Sequence, residues 1–473
     1  MRTIPHWASI IPFHLPPTMP TFKTLTLGCK VNQYETAYVR EGLLRLGYRE
    51  ADKGEPADLC IVNTCTVTSE SDLKSRKVVR QLARQNPHAE IVVMGCYATR
   101  APDVVAALPG VVEVVTDKRQ LPELLARFGL VDLPGGISSF GRRHRAYVKV
   151  QDGCRMPCSY CIIPRVRPVL SSRPVDDVLD EIRRLVDHGY REIVLTGIHL
   201  GHYGVDFASP GPNDRRIDLA RLVGRIVELA GRCRVRISSI EAVEVTPELI
   251  AVMADHPDRI CPHVHVSMQS GSDAVLRRMQ RRWASGRFVE RCHAIRESLD
   301  HPALTTDVIV GFPGESEADF EATCRAVEEV AFSKLHVFRF SPRPGTPAAA
   351  MPDQVPSKVK QRRASELAEI GRRLRRQFLE SLVGRDVQVL VETPVQHSPG
   401  MLAGTSARYA PVELPGDEAC LGQLVWVTAG PVVDGWIHGV LPSGQDCLAG
   451  SAGSDATRQN HAEGGTRPAP EAP

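Results

Sequence analysis

The sequence contains no run of 18 apolar residues, which excludes a membrane-spanning helix of ordinary length. It has no large excess of either charge. Lys and Arg number 58 against 55 Asp and Glu, for a formal net charge of +3. Any contact with nucleic acid must therefore come from local patches. It also lacks a dense cysteine framework. Its 13 cysteines, an odd number, are scattered over 473 residues beside strand-like patterns. That excludes a small disulfide scaffold and points to metal ligands in a reducing, cytoplasmic compartment. The length suits about two to four domains with ample core. The first 18 residues are too broken by proline for a signal sequence. Residues 1–19 are expected to be a disordered upstream extension, with Met19 the effective start.

The most informative stretch is Cys154-Arg155-Met156-Pro157-Cys158-Ser159-Tyr160-Cys161. Its C-x3-C-x2-C spacing places three thiolates within eight residues. Three thiolates can hold three irons of a [4Fe–4S] cluster and leave the fourth iron open. S-adenosylmethionine can chelate an open iron, and one electron from the cluster can then split the sulfonium to a carbon radical. A zinc site would need a fourth ligand, normally from a second C-x2-C pair, and none follows at finger spacing.

Residues 20–132 alternate short apolar strands with helical patterns, as in a parallel sheet with crossover helices. Strands are predicted at Phe22–Leu27, Asp58–Val62, Glu90–Met94 and Val111–Val115. Helices are predicted at Glu35–Leu46, Ser71–Ala83 and Ala101–Leu108. Cys29, Cys65 and Cys96 each lie just past the carboxyl end of a predicted strand, 36 and 31 residues apart. Such strand ends share one crevice in open α/β sheets, so the three thiols can converge as a second cluster site. Cys60 lies inside a strand and is expected to be a buried structural thiol.

Residues 140–356 contain six βα-type units, which fits a partial (β/α)6 barrel whose site lies at the strand carboxyl ends. Thr196, Gly197, Glu241, Gln269 and Asp307 fall at or near those ends. With Tyr160 they are the candidate cofactor-binding residues, able to bind methionyl or ribose groups or to stand as solvated loop residues. Residues 357–380 form a predicted basic linker helix. Over Ser357–Phe378, Lys358, Lys360, Arg362, Arg363, Arg372, Arg373, Arg375 and Arg376 meet only Glu366 and Glu369. This is either a solvated face or a phosphate-backbone track. Residues 381–442 show short alternating strands, expected to close into a small OB-like β-barrel of the kind that often binds RNA. Residues 443–473, poor in large apolar groups, are expected to be disordered.

Several segments occur in a diagnostic order: Thr26-Leu27-Gly28-Cys29-Lys30-Val31-Asn32-Gln33, Asn63-Thr64-Cys65, Gly95-Cys96-Tyr97, the C-x3-C-x2-C triad, and Asp307-Val308-Ile309-Val310-Gly311-Phe312-Pro313-Gly314-Glu315. From about residue 22 to 441 the chain resembles the radical-SAM methylthiotransferases that end in a TRAM domain. Gly28–Thr36, Ser238–Glu241 and His336–Phe338 make it most similar to the MtaB type. Members of that type convert N6-threonylcarbamoyladenosine at position 37 of tRNA to its 2-methylthio form. Pro168, Met156-Pro157 and Ser267-Met268 depart from the usual pattern near the cofactor pocket, but no cysteine of either triad is missing.

The resemblance implies two [4Fe–4S] clusters. Cys154, Cys158 and Cys161 would serve cleavage of S-adenosylmethionine. Cys29, Cys65 and Cys96 would supply sulfur. A second S-adenosylmethionine would give the methyl group. The implied partners are the tRNA anticodon stem-loop and an external electron donor such as a flavodoxin or ferredoxin, with the chain a monomer. Arg339, Arg343 and Arg408 are candidate tRNA contacts, assigned to the barrel domain. Two related alternatives are methylthiolation of isopentenyladenosine in tRNA and of an aspartate in a ribosomal protein. An iron–sulfur electron-transfer or redox-sensing protein is the alternative of another class.

Overall fold

The structure is a computed structural model. It describes residues 19–132, 135–141, 143–208, 217–229, 231, 233–396 and 398–442. Both terminal segments expected to be disordered lie outside these residues, apart from Met19. The chain forms two compact units, one ending at Arg375 and one beginning at Arg376.

The first unit opens with β1 (Thr21–Thr26), α1 (Lys30–Arg45), β2 (Arg49–Glu50), β3 (Leu59–Thr64), α2 (Ser69–Gln85), β4 (Glu90–Gly95), α3 (Cys96–Arg100), α4 (Pro102–Ala106), β5 (Val111–Val114) and α5 (Leu121–Arg127). The strands are all parallel and lie in the order β2-β1-β3-β4-β5. Central strands of such a sheet are buried on both faces and read as continuous apolar runs. In β3, Leu59 and Ile61 pack with Val39, Leu43 and Leu125 on one face. Cys60 and Val62 pack with Val79, Leu82 and Val105 on the other. Cys60 is thus the buried core thiol expected. The predicted helix over Ala101–Leu108 divides differently. Pro102 has no N–H and disfavours helix at the preceding residue. Ala101 accordingly leaves the helical region (φ −139°, ψ 60°), and α3 and α4 form on either side of it.

The second part of this unit runs β6 (Arg145–Asp152), α6 (Ile163–Val166), β7 (Ser171–Ser172), α7 (Val175–Asp187), β8 (Glu192–Gly197), α8 (Leu219–Leu229), β9 (Arg234–Ile237), β10 (Ser239–Ile240), α9 (Pro247–Asp255), β11 (His263–Val266), α10 (Asp273–Arg278), α11 (Ser285–Ser298), β12 (Ala303–Val310), α12 (Glu317–Val330), β13 (Lys334–Arg339) and α13 (Ser357–Glu380). The extended stretch from Arg234 to Ile240 is interrupted at Ser238, giving β9 and β10. Counting these two as one interrupted strand, six parallel strands make the partial barrel. A parallel bridge between Val235 and Ile260 joins its two sheets.

Helix α1 belongs to both halves of this unit. Val39 and Leu43 face the N-terminal sheet, whereas Tyr34 packs into the barrel core. The Tyr34 hydroxyl donates to Glu181 at 3.0 Å. Asn32, Glu35, Thr36 and Glu41 are buried on the same helix; Glu35 meets Lys149 and Arg167, whereas Thr36 bonds to Thr26.

In the second unit β14 (Asp386–Pro394), β15 (Met401–Ser406), β16 (Pro411–Pro415), β17 (Leu424–Val433) and β18 (Trp436–Val440) close into a barrel in the order β14-β15-β16-β18-β17. Val389, Val391, Leu402, Val412, Val427 and Ile437 fill it. Among the described residues no helix is long and apolar enough to cross a membrane.

Candidate functional site

Sheet order places the first set of cysteines. In the order β2-β1-β3-β4-β5 the chain reverses direction of travel between β1 and β3, and ligand crevices form at that switch point. Cys29 follows β1, Cys65 follows β3 and Cys96 follows β4. The three therefore stand side by side at one edge. Glycines permit the close approach. Gly28 has φ +108°, and a Cβ there would meet Cys65 Cβ at 3.1 Å and Sγ at 3.3 Å. Gly95 has φ +98°, and a Cβ there would lie 2.4 Å from both Asn63 Oδ1 and the Thr64 carbonyl. Cys29 is exposed, Cys65 half-buried and Cys96 buried. Cys29 lies within electrostatic reach of both Cys96 and Arg167.

The second set lies on the loop after β6. Cys154 and Cys158 share a small apolar cluster with Met156, against which Tyr160, Cys161, Ile163 and Ile198 pack. All three thiols are free. The Met156 amide donates to Cys154 Sγ at 3.4 Å. His199 Nδ1 lies 3.4 Å from the same sulfur, and Arg281 Nη1 donates to Cys158 Sγ at 3.4 Å. Burial raises the Cys158 thiol, with Arg281 opposing it, and pushes Cys161 up to about 12. A metal cluster would supply the positive charge that ionises such thiols. Three free thiols in an apolar pocket with N–H donors on their sulfurs suit a [4Fe–4S] group. The crevice set likewise offers three free thiols, with Arg167 Nε donating to Cys96 Sγ at 3.3 Å.

The other candidate residues separate into two groups. Glu241 follows β10 and is held by Arg281 Nη2 and by Trp283 Nε1, the latter at 3.1 Å. Arg281 thus links Glu241 to Cys158. Gly197 pairs with Gln151, three residues before Cys154, and Thr196 is buried beside it. Tyr160 packs edge-on against Phe312, with ring centroids 6.4 Å apart. Gln269 and Asp307 form the other group. Gln269 takes φ 65°, and its N–H donates to the Asp307 carbonyl at 2.9 Å. The Asp307 carboxylate lies 3.4 Å from His265 Nε2. Met156 and Met268 are both buried.

Two of the proposed tRNA contacts are corrected. Arg343 is 2 % exposed and bound to Asp72 at 2.7 Å. Arg408 is also buried. Arg339 is exposed, with Nη1 donating to Gln361 at 2.7 Å. Arg339 and Arg343 both precede the β-barrel. The basic helix is also less bare than its sequence implies. Arg363 is buried on Glu315, Arg362 pairs with Glu317 and Arg373 pairs with Glu328.

Sequence reasoning missed Arg167, Arg281 and His199. Burial opposes the charged imidazole of His199, but hydrogen bonds to Cys154 and Glu244 outweigh it and lift the group to about 9. Its Nε2 lies 2.6 Å from Glu244. A cavity of about 580 Å³ opens beside Arg167, lined also by Thr116, Lys118, Lys149, Asp152 and Ser171.

A partial β/α barrel carrying a C-x3-C-x2-C loop at its strand ends defines the radical-SAM class. Residues 148–327 match the Radical SAM superfamily, and residues 21–117 match the uncharacterized protein family UPF0004. The fold is similar to that of TsrM from Kitasatospora setae, a radical S-adenosylmethionine methyltransferase whose structure contains cobalamin and a [4Fe-4S] cluster. The TM-score is 0.51 at 14% identity, covering 82% of this chain and 81% of that one. The chain is 38% identical to the threonylcarbamoyladenosine tRNA methylthiotransferase MtaB of Bacillus subtilis, over 86% of this chain and 93% of the relative. It is 42% identical to MtaB of Chlamydia pneumoniae, over 79% and 87%. It is 36% identical to the tRNA-2-methylthio-N(6)-dimethylallyladenosine synthase of Corynebacterium urealyticum, over 80% and 73%. The chain belongs to the radical-SAM methylthiotransferases of the MtaB type.

Proposed function

We propose that the chain transfers a methylthio group to C2 of N6-threonylcarbamoyladenosine at position 37 of tRNA. In this reading Cys154, Cys158 and Cys161 hold one [4Fe–4S] cluster, and Cys29, Cys65 and Cys96 hold the other. The observation that carries it is the second set, in which three free thiols from three separate loops converge at the sheet's switch point. An enzyme that only cleaves S-adenosylmethionine would have no use for it. When bound, the clusters and S-adenosylmethionine supply the electron, the radical, the sulfur and the methyl group that an unactivated aromatic C–H requires.

The chain's own residues hold and screen these groups. Met156, Ile163 and Ile198 keep water from the loop triad. Arg281 braces Cys158 while held by Glu241. Tyr160, Thr196, Gly197, Glu241, Gln269 and Asp307 are assigned to S-adenosylmethionine. The base must leave the stacked anticodon loop, at a cost of a few kcal/mol. Phosphate and stacking contacts from the terminal barrel, taken as a TRAM domain over residues 381–442, would offset it. Residues 20–132, 140–356 and 357–380 are assigned as the methylthiotransferase domain, the radical-SAM domain and the linker helix. The working form is a cytoplasmic monomer that takes electrons from a flavodoxin or ferredoxin.

The test is mass spectrometry of tRNA nucleosides from a strain lacking the chain, complemented with wild type or with Cys29→Ala/Cys65→Ala/Cys96→Ala. The expected result is that 2-methylthio-N6-threonylcarbamoyladenosine disappears, returns with wild type and does not return with the triple variant. Its persistence in the deletion strain, or a loss confined to the isopentenyl nucleoside or to a ribosomal-protein aspartate, would overturn the assignment.

A further inference from the structure

Arg167 is enclosed at 4 % exposure and touches the surroundings of both cysteine sets. Its backbone carbonyl accepts the Cys154 N–H at 3.1 Å. Its side chain runs the other way, to the crevice. Nε donates to Cys96 Sγ at 3.3 Å. Nη1 donates to Glu35 at 2.7 Å and to Asp152 at 2.9 Å. Nη2 donates to Glu35 at 2.9 Å and to Asn32 at 3.1 Å. A guanidinium has five N–H donors in a fixed fork, and each has a partner here.

Those partners lead back to the cysteines. Asn32 and Glu35 stand on α1, which begins directly after Cys29. The Asn32 amide donates to the carbonyls of Leu27 at 2.9 Å and Thr64 at 3.0 Å. These two residues precede Cys29 and Cys65 by two and one positions. Asp152 ends β6, two residues before Cys154. One side chain thus ties together the approaches to four of the six cysteines. Lys149, on Glu35 at 3.3 Å and Asp152 at 3.0 Å, completes the charge pairing.

We infer that Arg167 is a positioning residue for the crevice triad. Its fork fixes the loops of Cys29, Cys65 and Cys96 against the loop of Cys154, and its permanent charge and N–H on the Cys96 sulfur stabilise added negative charge at that site. Lysine keeps the charge but offers only a point of three donors, so it cannot replace the fork. The inference rests on the reading that the crevice triad holds a cluster.

The test uses the full chain carrying Cys154→Ala/Cys158→Ala/Cys161→Ala, reconstituted anaerobically, so that iron reports the crevice triad alone. This parent is compared with versions that also carry Arg167→Lys or Arg167→Met. Readouts are iron per chain, the electron paramagnetic resonance spectrum and the midpoint potential. The parent is expected to hold about four irons. R167K is expected to keep iron with an altered spectrum and a more negative midpoint, and R167M to shift further or lose iron. Where R167M does not fold, R167K decides. An unchanged spectrum and midpoint in R167K overturns the inference. Absence of iron in the parent overturns the cluster reading itself, and the inference with it. As a control, R167K in the Cys29→Ala/Cys65→Ala/Cys96→Ala chain should leave the loop cluster's midpoint in place, because Arg167 meets Cys154 through its backbone. An equal shift there would reduce Arg167 to a general stabiliser and overturn its role at Cys96.

Discussion

The two cysteine triads present the same three thiols but are built in opposite ways. Cys154, Cys158 and Cys161 are neighbours because eight consecutive residues make them so. Cys29, Cys65 and Cys96 are neighbours only because a five-stranded sheet adopts one strand order. Their surroundings differ as well. The loop triad is wrapped by Met156, Ile163 and Ile198, whereas the crevice triad leans on a buried ionic network of Glu35, Asp152, Lys149 and Arg167. A ligand set encoded in a loop tolerates changes elsewhere in the fold. One encoded in topology depends on every backbone position that fixes the distance between strand ends.

The largest effect that would sharpen this contrast needs no cysteine change. In Gly95→Ala the new Cβ would sit 2.4 Å from Asn63 Oδ1 and the Thr64 carbonyl, at φ +98°. The expected outcome is loss of about four irons and of methylthiolated product, with the loop cluster intact by its spectrum. Cleavage of S-adenosylmethionine to 5′-deoxyadenosine should continue. Retention of both clusters would break the contrast.

The next effects are on stability and should spare neither triad in particular. Glu192 is fully buried between Arg145, Arg234 and Arg236. Burial opposes its ionisation, but the arginines outweigh that and hold its carboxyl far below the usual range. Glu192→Gln should cost about 3–5 kcal/mol at neutral pH. A depressed native value contributes stability in full above the unfolded value near about 4.3 and loses it as pH falls. The gap between wild type and Glu192→Gln in urea denaturation should therefore narrow below about pH 4. A gap independent of pH would contradict the ionised state.

Arg343→Ala removes the partner of Asp72, but Arg100 remains on that carboxylate. The expected cost is about 3 kcal/mol, at the low end for a broken buried pair, with tRNA affinity showing an unchanged salt dependence. A shallower salt slope would return Arg343 to the nucleic-acid surface. The smallest effect belongs to Arg372→Ala, which breaks an exposed pair with Glu369. It should change unfolding free energy by less than about 1 kcal/mol.

Much of the scaffold was legible in the chain. The strands predicted at Phe22–Leu27, Glu90–Met94 and Val111–Val115 fall within one residue of β1, β4 and β5 at each end. Cys29, Cys65 and Cys96, each read as lying just past a predicted strand, do follow β1, β3 and β4. Other features depended on tertiary contacts. The short helices Leu121–Arg127 and Asp273–Arg278 carry too few periods to stand out. Arg167 finds its side-chain partners 15 to 135 residues away, and Arg281 reaches Cys158 across 123. No local spacing announces such contacts. The basic helix misled for the same reason, since Glu315, Glu317 and Glu328 come from elsewhere in the chain.

The central claim is that one chain carries two cluster sites. The most direct measurement is iron and acid-labile sulfide on anaerobically reconstituted protein, comparing wild type with Cys29→Ala/Cys65→Ala/Cys96→Ala. Two sites require about eight irons falling to about four. About four irons in both proteins would leave a single cluster on the loop triad and contradict the account.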